Sequence, residues 1–150
     1  MKTYIGLMIA FLLFQACNLS VRSDEKASKE LIKRDLEFSE YSRQYGLGKA
    51  FTQFADSAAV LLKPDRMPIK GSLSIAYYYA NLNDKNLKLT WMPLDASIAD
   101  SRDLGYTYGV WQLISLDSMR QGTYVTIWKK DENGAWKYVL DAGNEGIGNN

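Results

Sequence analysis

The chain has 150 residues, 47% hydrophobic and 13% aromatic, with 18 basic and 17 acidic side chains and no histidine. A formal charge of +1 offers no long-range steering toward nucleic acid, which argues against such a partner. Without histidine there is no base for a serine or cysteine triad and no imidazole for zinc, and neither a phosphate loop nor a dinucleotide fingerprint is present, so no cofactor is expected; metal binding through oxygen alone stays open, but "DKN" and "DEN" read as turns and no metal site is expected.

The first residues, "MKTYIGLMIAFLLFQAC", carry one lysine and an apolar run from Tyr4 to Phe14. That run is too short to span a bilayer but has the length of a signal-peptide core. Its end, Ala16 before the lone Cys17, resembles a bacterial lipoprotein signal, in which a small residue precedes the cysteine that is lipidated. Phe14 departs from the leucine usual three positions before it. With one thiol no internal disulfide can form, although export would permit one. The expectation is therefore a signal peptide over residues 1–16, a polar tether over 17–25, and one domain over 26–150. Cys17 would be the membrane anchor in the bacterial cell envelope, holding the domain outside the cytoplasm. Removing residues 1–16 takes away Lys2 and leaves 17 basic and 17 acidic residues.

Along the domain, "SDEKASKELIKRDLEFSEYSRQYG" has Ser23 as a helix cap and Gly46 as a stop. Ala27, Leu31, Arg34, Phe38, Ser42 and Tyr45 run along one stripe, with Ile32 and Leu36 beside it. A shorter helix fits "LGKAFTQFA", ended by Asp56 and Ser57, and "AAVLLKP" reads as a strand turning at "DRMP". "GSLSIAYYYANLND" offers Ser72 as a cap and places Leu73, Ala76, Tyr77 and Ala80 at helical spacing. Four strand-like runs follow: "LKLTWMPLDASIA", "DLGYTYGVWQLIS", "GTYVTIWKKD" and "AWKYVLDAG". The last two are joined at Asn133-Gly134, a hairpin signal because both residues tolerate positive φ. Helices first and antiparallel strands afterwards predict an α+β domain with helices on one face of a curved sheet.

The segments "DLEFSEYSRQYGLGKAFTQFADSAAVLLKP", "PIKGSLSIAYYY", "LTWMPLDASIADSRDLGYTYGVW" and "GTYVTIWKKDENGAWKYVLDAG" together resemble a bacterial family of unknown function. That family lies in the SnoaL-like and ketosteroid-isomerase-like group, which shares the nuclear transport factor 2 fold. The resemblance implies a cone-shaped, strongly bent mixed sheet around a long N-terminal helix, an apolar pocket in the cone, and frequent dimerisation through the sheet. It implies no single activity, since function resides in the site and not in the fold.

By resemblance to the enzymatic members, the face carrying Asp141 looks into the cone. Strict alternation groups Asp141 with Lys137, Val139 and Gly143, against Trp136, Tyr138, Leu140 and Ala142. An aspartate among apolar walls gains a raised pKa and can serve as a general acid or base; the structural alternative pairs it with a backbone amide or Arg34. An oxyanion partner could come from Tyr41, Tyr45, Tyr77, Tyr78, Tyr106 or Tyr108, none singled out by spacing. In "DLGYTYGVW" the paired glycines suggest a bend or a close approach. Tyr106 and Tyr108, with Trp91, Trp111 and Tyr41, are candidates for lining a pocket for an apolar or amphipathic small molecule. Tyr124, Thr126, Trp128, Trp136 and Tyr138 would form a second aromatic face suited to a homodimer. Three functions follow: a ligand-binding envelope lipoprotein, an isomerase, dehydratase or hydrolase using Asp141, or a dimeric assembly module without a ligand.

Overall fold

A computed structural model describes residues 25–82 and 86–148. Its elements, in chain order, are α1 (25–45), α2 (Leu47–Gln53), β1 (Ala55–Leu62), β2 (Ile69–Lys70), α3 (Ser72–Ala80), β3 (Lys88–Ile98), β4 (Leu104–Ile114), β5 (Met119–Lys130) and β6 (Trp136–Glu145). The strands among the described residues form one sheet in the order β2-β1-β6-β5-β4-β3. β1 runs parallel to β6 and every other pair is antiparallel, so the sheet is mixed. The signal peptide, Cys17, Ser23 and residues 17–24 of the expected tether lie outside the described residues, whereas Glu25 already belongs to α1.

The inner stripe of α1 is Leu31, Asp35, Phe38, Ser39 and Ser42, all buried at i, i+4, i+7, i+8 and i+11. Tyr45 and Leu36, expected on or beside that stripe, are exposed. Phe38 is the centre of the core. Its ring lies 4.9 Å from Phe51, 4.7 Å from Phe54, 4.6 Å from Trp91, 6.1 Å from Trp128 and 5.6 Å from Tyr138. Burying such a ring contributes about 2–3 kcal/mol before packing is counted. The serines dock the helix on the edge strand: Ser39 Oγ accepts from the Trp91 amide at 2.8 Å, and Ser42 Oγ donates to the Leu89 carbonyl at 2.9 Å. Two backbone groups of the free edge of β3 are thereby satisfied, which shortens the stretch open to stray strand pairing.

Two irregularities bend the sheet. Between β3 and β4, Pro93 pairs with Gly109 and Asp95 with Tyr108, leaving Leu94 extra; between β5 and β6, Ile127 pairs with Leu140 and Trp128 with Tyr138, leaving Val139 extra. A bulge of this kind turns the following side chains over to the other face. Asp141 therefore shares the inner face with Trp136 and Tyr138, contrary to the alternation expected from sequence. The aromatic set Tyr124, Trp128, Trp136 and Tyr138, expected on the opposite face as a dimer surface, packs into the core with Thr126.

The glycines of "DLGYTYGVW" mark close approaches. A Cβ on Gly105 would lie 2.7 Å from the Ser97 carbonyl and 2.9 Å from Leu31 Cδ2, so α1 and β3 both press on this strand. Thr107 and the glycines point inward, which sends Tyr106 and Tyr108 outward. In α3 the buried residues are Ile75 and Tyr79, while Leu73 and Tyr77 of the expected stripe are 86% and 74% exposed. Its cap is Gly71, at φ 87°, with no side-chain contribution from Ser72. At the last hairpin only Gly134 takes positive φ; Asp131 Oδ1 accepts from the amides of Asn133 and Ala135, both at 2.9 Å, in place of a two-residue turn.

Candidate functional site

Between α2, α3 and the inner face of the sheet lies a cavity of about 300 Å³. Phe51, Tyr79, Leu89, Trp91, Trp111 and Tyr124 supply much of its wall, and Lys63 and Asp141 the less exposed of its charged groups. The exposed pair Arg120 and Glu145, 3.3 Å apart, also borders it. Trp111 is fixed as a wall because its indole Nε1 donates to the carbonyls of Thr123 at 3.0 Å and Asn144 at 3.1 Å. The ring lies over Gly122, where a Cβ would come within 2.5 Å of it. No side chain but hydrogen fits there.

Two carboxylates are buried near this space. Asp35, fully buried on α1, accepts from Trp91 Nε1 at 2.7 Å and from the Tyr124 hydroxyl at 2.7 Å. Thr107 also bonds to it, and Thr107 in turn accepts from Trp128 Nε1 at 2.9 Å. Burial raises the Asp35 pKa above the usual carboxylate range even against those donors. Asp141, on β6, accepts from Thr126 Oγ1 at 2.7 Å through Oδ2. Burial pushes its pKa up to about 6; the Lys63 charge and the Thr126 bond oppose the rise, and Asp35 adds to it. The Lys63 ammonium is shifted the other way, downward, by burial, with the attraction of Asp141 working against that.

Asp141 thus faces the inside of the cone, the side that the family resemblance implies, and Arg34 is not its partner. Arg34 donates through Nε to the Trp136 carbonyl at 3.1 Å and stacks 4.1 Å over the Phe54 ring. Trp91 and Trp111 line the cavity as expected. Tyr106 and Tyr108 do not, being 45% and 44% exposed on the outer face of the sheet. Tyr41 borders a separate cleft with Tyr45, Lys49 and Thr52, its ring 4.5 Å from that of Tyr45. Of the other tyrosines weighed as oxyanion donors, Tyr78 borders the cavity and Tyr77 faces outward. The tyrosines that feel Asp141 electrostatically are Tyr124 and Tyr138, both raised in pKa chiefly by burial. Both hydroxyls are committed elsewhere, Tyr124 to Asp35 and Tyr138 to the Phe51 carbonyl at 2.7 Å.

Sequence reasoning missed Lys63 and Tyr124, which line the cavity, and Asp35, the buried acid that holds Tyr124. Lys63 had a usable signal, since it ends an apolar strand run where a charge is unexpected. Asp35 had one too, sitting four residues from each of Leu31 and Ser39 on the buried stripe. Among the described residues, no group of three or more acidic, histidine or cysteine side chains gathers to hold a metal, and no helix is long and apolar enough to cross a membrane.

Solved structures of similar shape decide the fold. A domain of unknown function with a cystatin-like fold from Nostoc punctiforme PCC 73102 superposes with a TM-score of 0.68 at 16% identity, over 81% of this chain and 79% of that one. This chain has the cystatin-like, nuclear-transport-factor-2-like fold. A ketosteroid isomerase-like protein from Erwinia carotovora atroseptica SCRI1043 matches with a TM-score of 0.63 at 12% identity, over 79% and 95% of the two chains. An NTF-2 like protein of unknown function from Shewanella oneidensis MR-1 gives 0.61 at 19% identity, over 77% and 97%. At these identities the likeness carries the fold and no activity. No family model matches the sequence, and no curated protein does.

Proposed function

We propose that this domain is a small-molecule-binding module, carried on a cell-envelope lipoprotein, that takes an apolar or amphipathic molecule into the cone. The observation that carries this reading is the cavity of about 300 Å³ walled by aromatic rings, with a buried carboxylate, Asp141, on its surface. That volume is at the small end of the range in which proteins hold organic ligands. The lipid anchor at Cys17 rests on the sequence signal alone. Native mass spectrometry of the full chain isolated from its own cells tests both parts. The proposal expects the added mass of lipid at Cys17 and a second, dissociable adduct that is lost in Trp111→Ala. A chain with no adduct under gentle conditions would count against the binding module.

Catalysis is the weaker reading. An acid with a pKa of about 6 is suited to proton transfer near neutral pH, but the two phenols that feel its charge, Tyr124 and Tyr138, already donate to protein acceptors. For a homodimer, the support has moved to the outer face of β3, β4 and β5, where Met92, Leu94, Tyr106, Tyr108 and Val125 are exposed together. Sedimentation of wild type against Tyr108→Glu tests this. A dimer that dissociates in the variant supports that face, and a monomeric wild type ends the idea.

A further inference from the structure

The cavity wall brings an ammonium and a carboxylate to neighbouring positions without letting them meet. In the parallel pairing of β1 with β6, Leu61 is opposite Asp141 and Leu62 opposite Ala142. Lys63 directly follows Leu62, the last residue of β1, and lines the cavity together with Asp141, Ala142 and Gly143. Among the described residues no ion pair or hydrogen bond joins Lys63 to Asp141, although each feels the other's charge. Thr126 occupies Asp141 Oδ2, and Oδ1 has no protein donor among the described residues. Lys63 Nζ sits 5.3 Å from the centre of the Phe51 ring, on the cavity wall.

We infer that the polar end of the ligand is a neutral hydroxyl, donating to Asp141 Oδ1 and accepting from Lys63 Nζ, on an apolar body held by Trp91, Trp111 and Phe51. The assignment follows from donor and acceptor inventories. A carboxylate can accept from Lys63 but meets Asp141 with like charge. An ammonium can donate to Asp141 but repels Lys63. A ketone satisfies Lys63 alone, and a hydrocarbon satisfies neither. A hydroxyl does both with one atom, and primary amides share that property in a bulkier form. Burial disfavours the charged form of both protein groups, so a bridging hydroxyl relieves two strained groups at once.

This inference rests on the binding reading above, and the test separates the two. Isothermal titration calorimetry of the full chain at pH 7 would compare 2-naphthol, 2-naphthoate, 2-naphthylmethylammonium and naphthalene. The expected result is 2-naphthol binding roughly 10-fold or more tighter than each of the other three. In Lys63→Met and Asp141→Leu that preference should fall to within about 2-fold, with naphthalene still bound; either variant alone suffices if the other fails to fold. Equal affinity of naphthalene and 2-naphthol in the wild type, or tighter binding of the acid or the amine, overturns the hydroxyl assignment and leaves the cavity reading intact. Failure of all four probes to bind overturns both.

Discussion

Asp35 and Asp141 are the same residue type, both buried, both with raised pKa, and their surroundings differ. Asp35 is ringed by donors from three strands, Trp91 of β3, Thr107 of β4 and Tyr124 of β5, and so pins the long helix to the concave face of the sheet. Asp141 has one protein donor and a cavity beside it. Burial and pKa direction alone cannot tell a structural carboxylate from a functional one. The number of protein donors distinguishes their surroundings, because each donor takes up a lone pair that a ligand hydrogen would need.

The contrast makes its largest prediction at Asp35. Asp35→Ala leaves Trp91 Nε1 and the Tyr124 hydroxyl without their acceptor, and should destabilise the domain by about 3 kcal/mol or more in urea unfolding. Asp35→Asn, which keeps one acceptor, should recover part of that loss. If Asp35→Ala costs no more than a surface change, the pinning role is wrong. At Gly105 an alanine Cβ would meet the Ser97 carbonyl and Leu31, so Gly105→Ala should cost about 1–3 kcal/mol through overpacking.

Asp141 should respond with the opposite sign. Its folded pKa, about 6, lies above the unfolded value, so the folded state holds the proton more tightly between those values. The contribution to stability is present at acid pH and is lost as pH rises through about 6. Asp141→Asn should therefore be about 1–3 kcal/mol more stable than wild type at pH 7, with the difference vanishing toward pH 4. Asp35 adds slope of the same sign, so the test is the difference between the two proteins. A variant less stable than wild type at pH 7 would show the charged carboxylate to be structural. The smallest effect is expected outside the cone: Tyr106→Ser should change stability by less than about 0.5 kcal/mol and leave probe binding unchanged.

Much of the fold was legible because its signals are local. The long helix, the change from period 3.6 to alternation after Ala80, and the Asn133-Gly134 turn all lie in short windows of sequence, and the resemblance extended them to a cone. The cone's interior was less legible. One extra residue, Val139, reverses the face of everything after it in β6, and alternation counted on paper has no means of seeing it. The same count could not decide where Tyr106 and Tyr108 point; Gly105, Thr107 and Gly109 take the inside because α1 and β3 lie too close for larger groups. In α3 the residues at helical spacing were identified, but Ile75 and Tyr79 and not Leu73 and Tyr77 meet the core. Which stripe is buried depends on what the helix packs against. Asp141 was singled out through the family resemblance, whereas the place of Lys63 on the same cavity wall became visible only with the parallel pairing of β1 with β6.

The most direct test of the distinction between the two acids is a carbon-13 NMR titration of the aspartate carboxyl groups, with and without saturating 2-naphthol. The account predicts that Asp141 titrates near 6 in the free protein, and that bound 2-naphthol, by donating to the charged form, lowers that pKa and moves the Asp141 resonance more than that of Asp35. A ligand-bound protein in which Asp141 is unmoved, or in which Asp35 shifts as much, would contradict it.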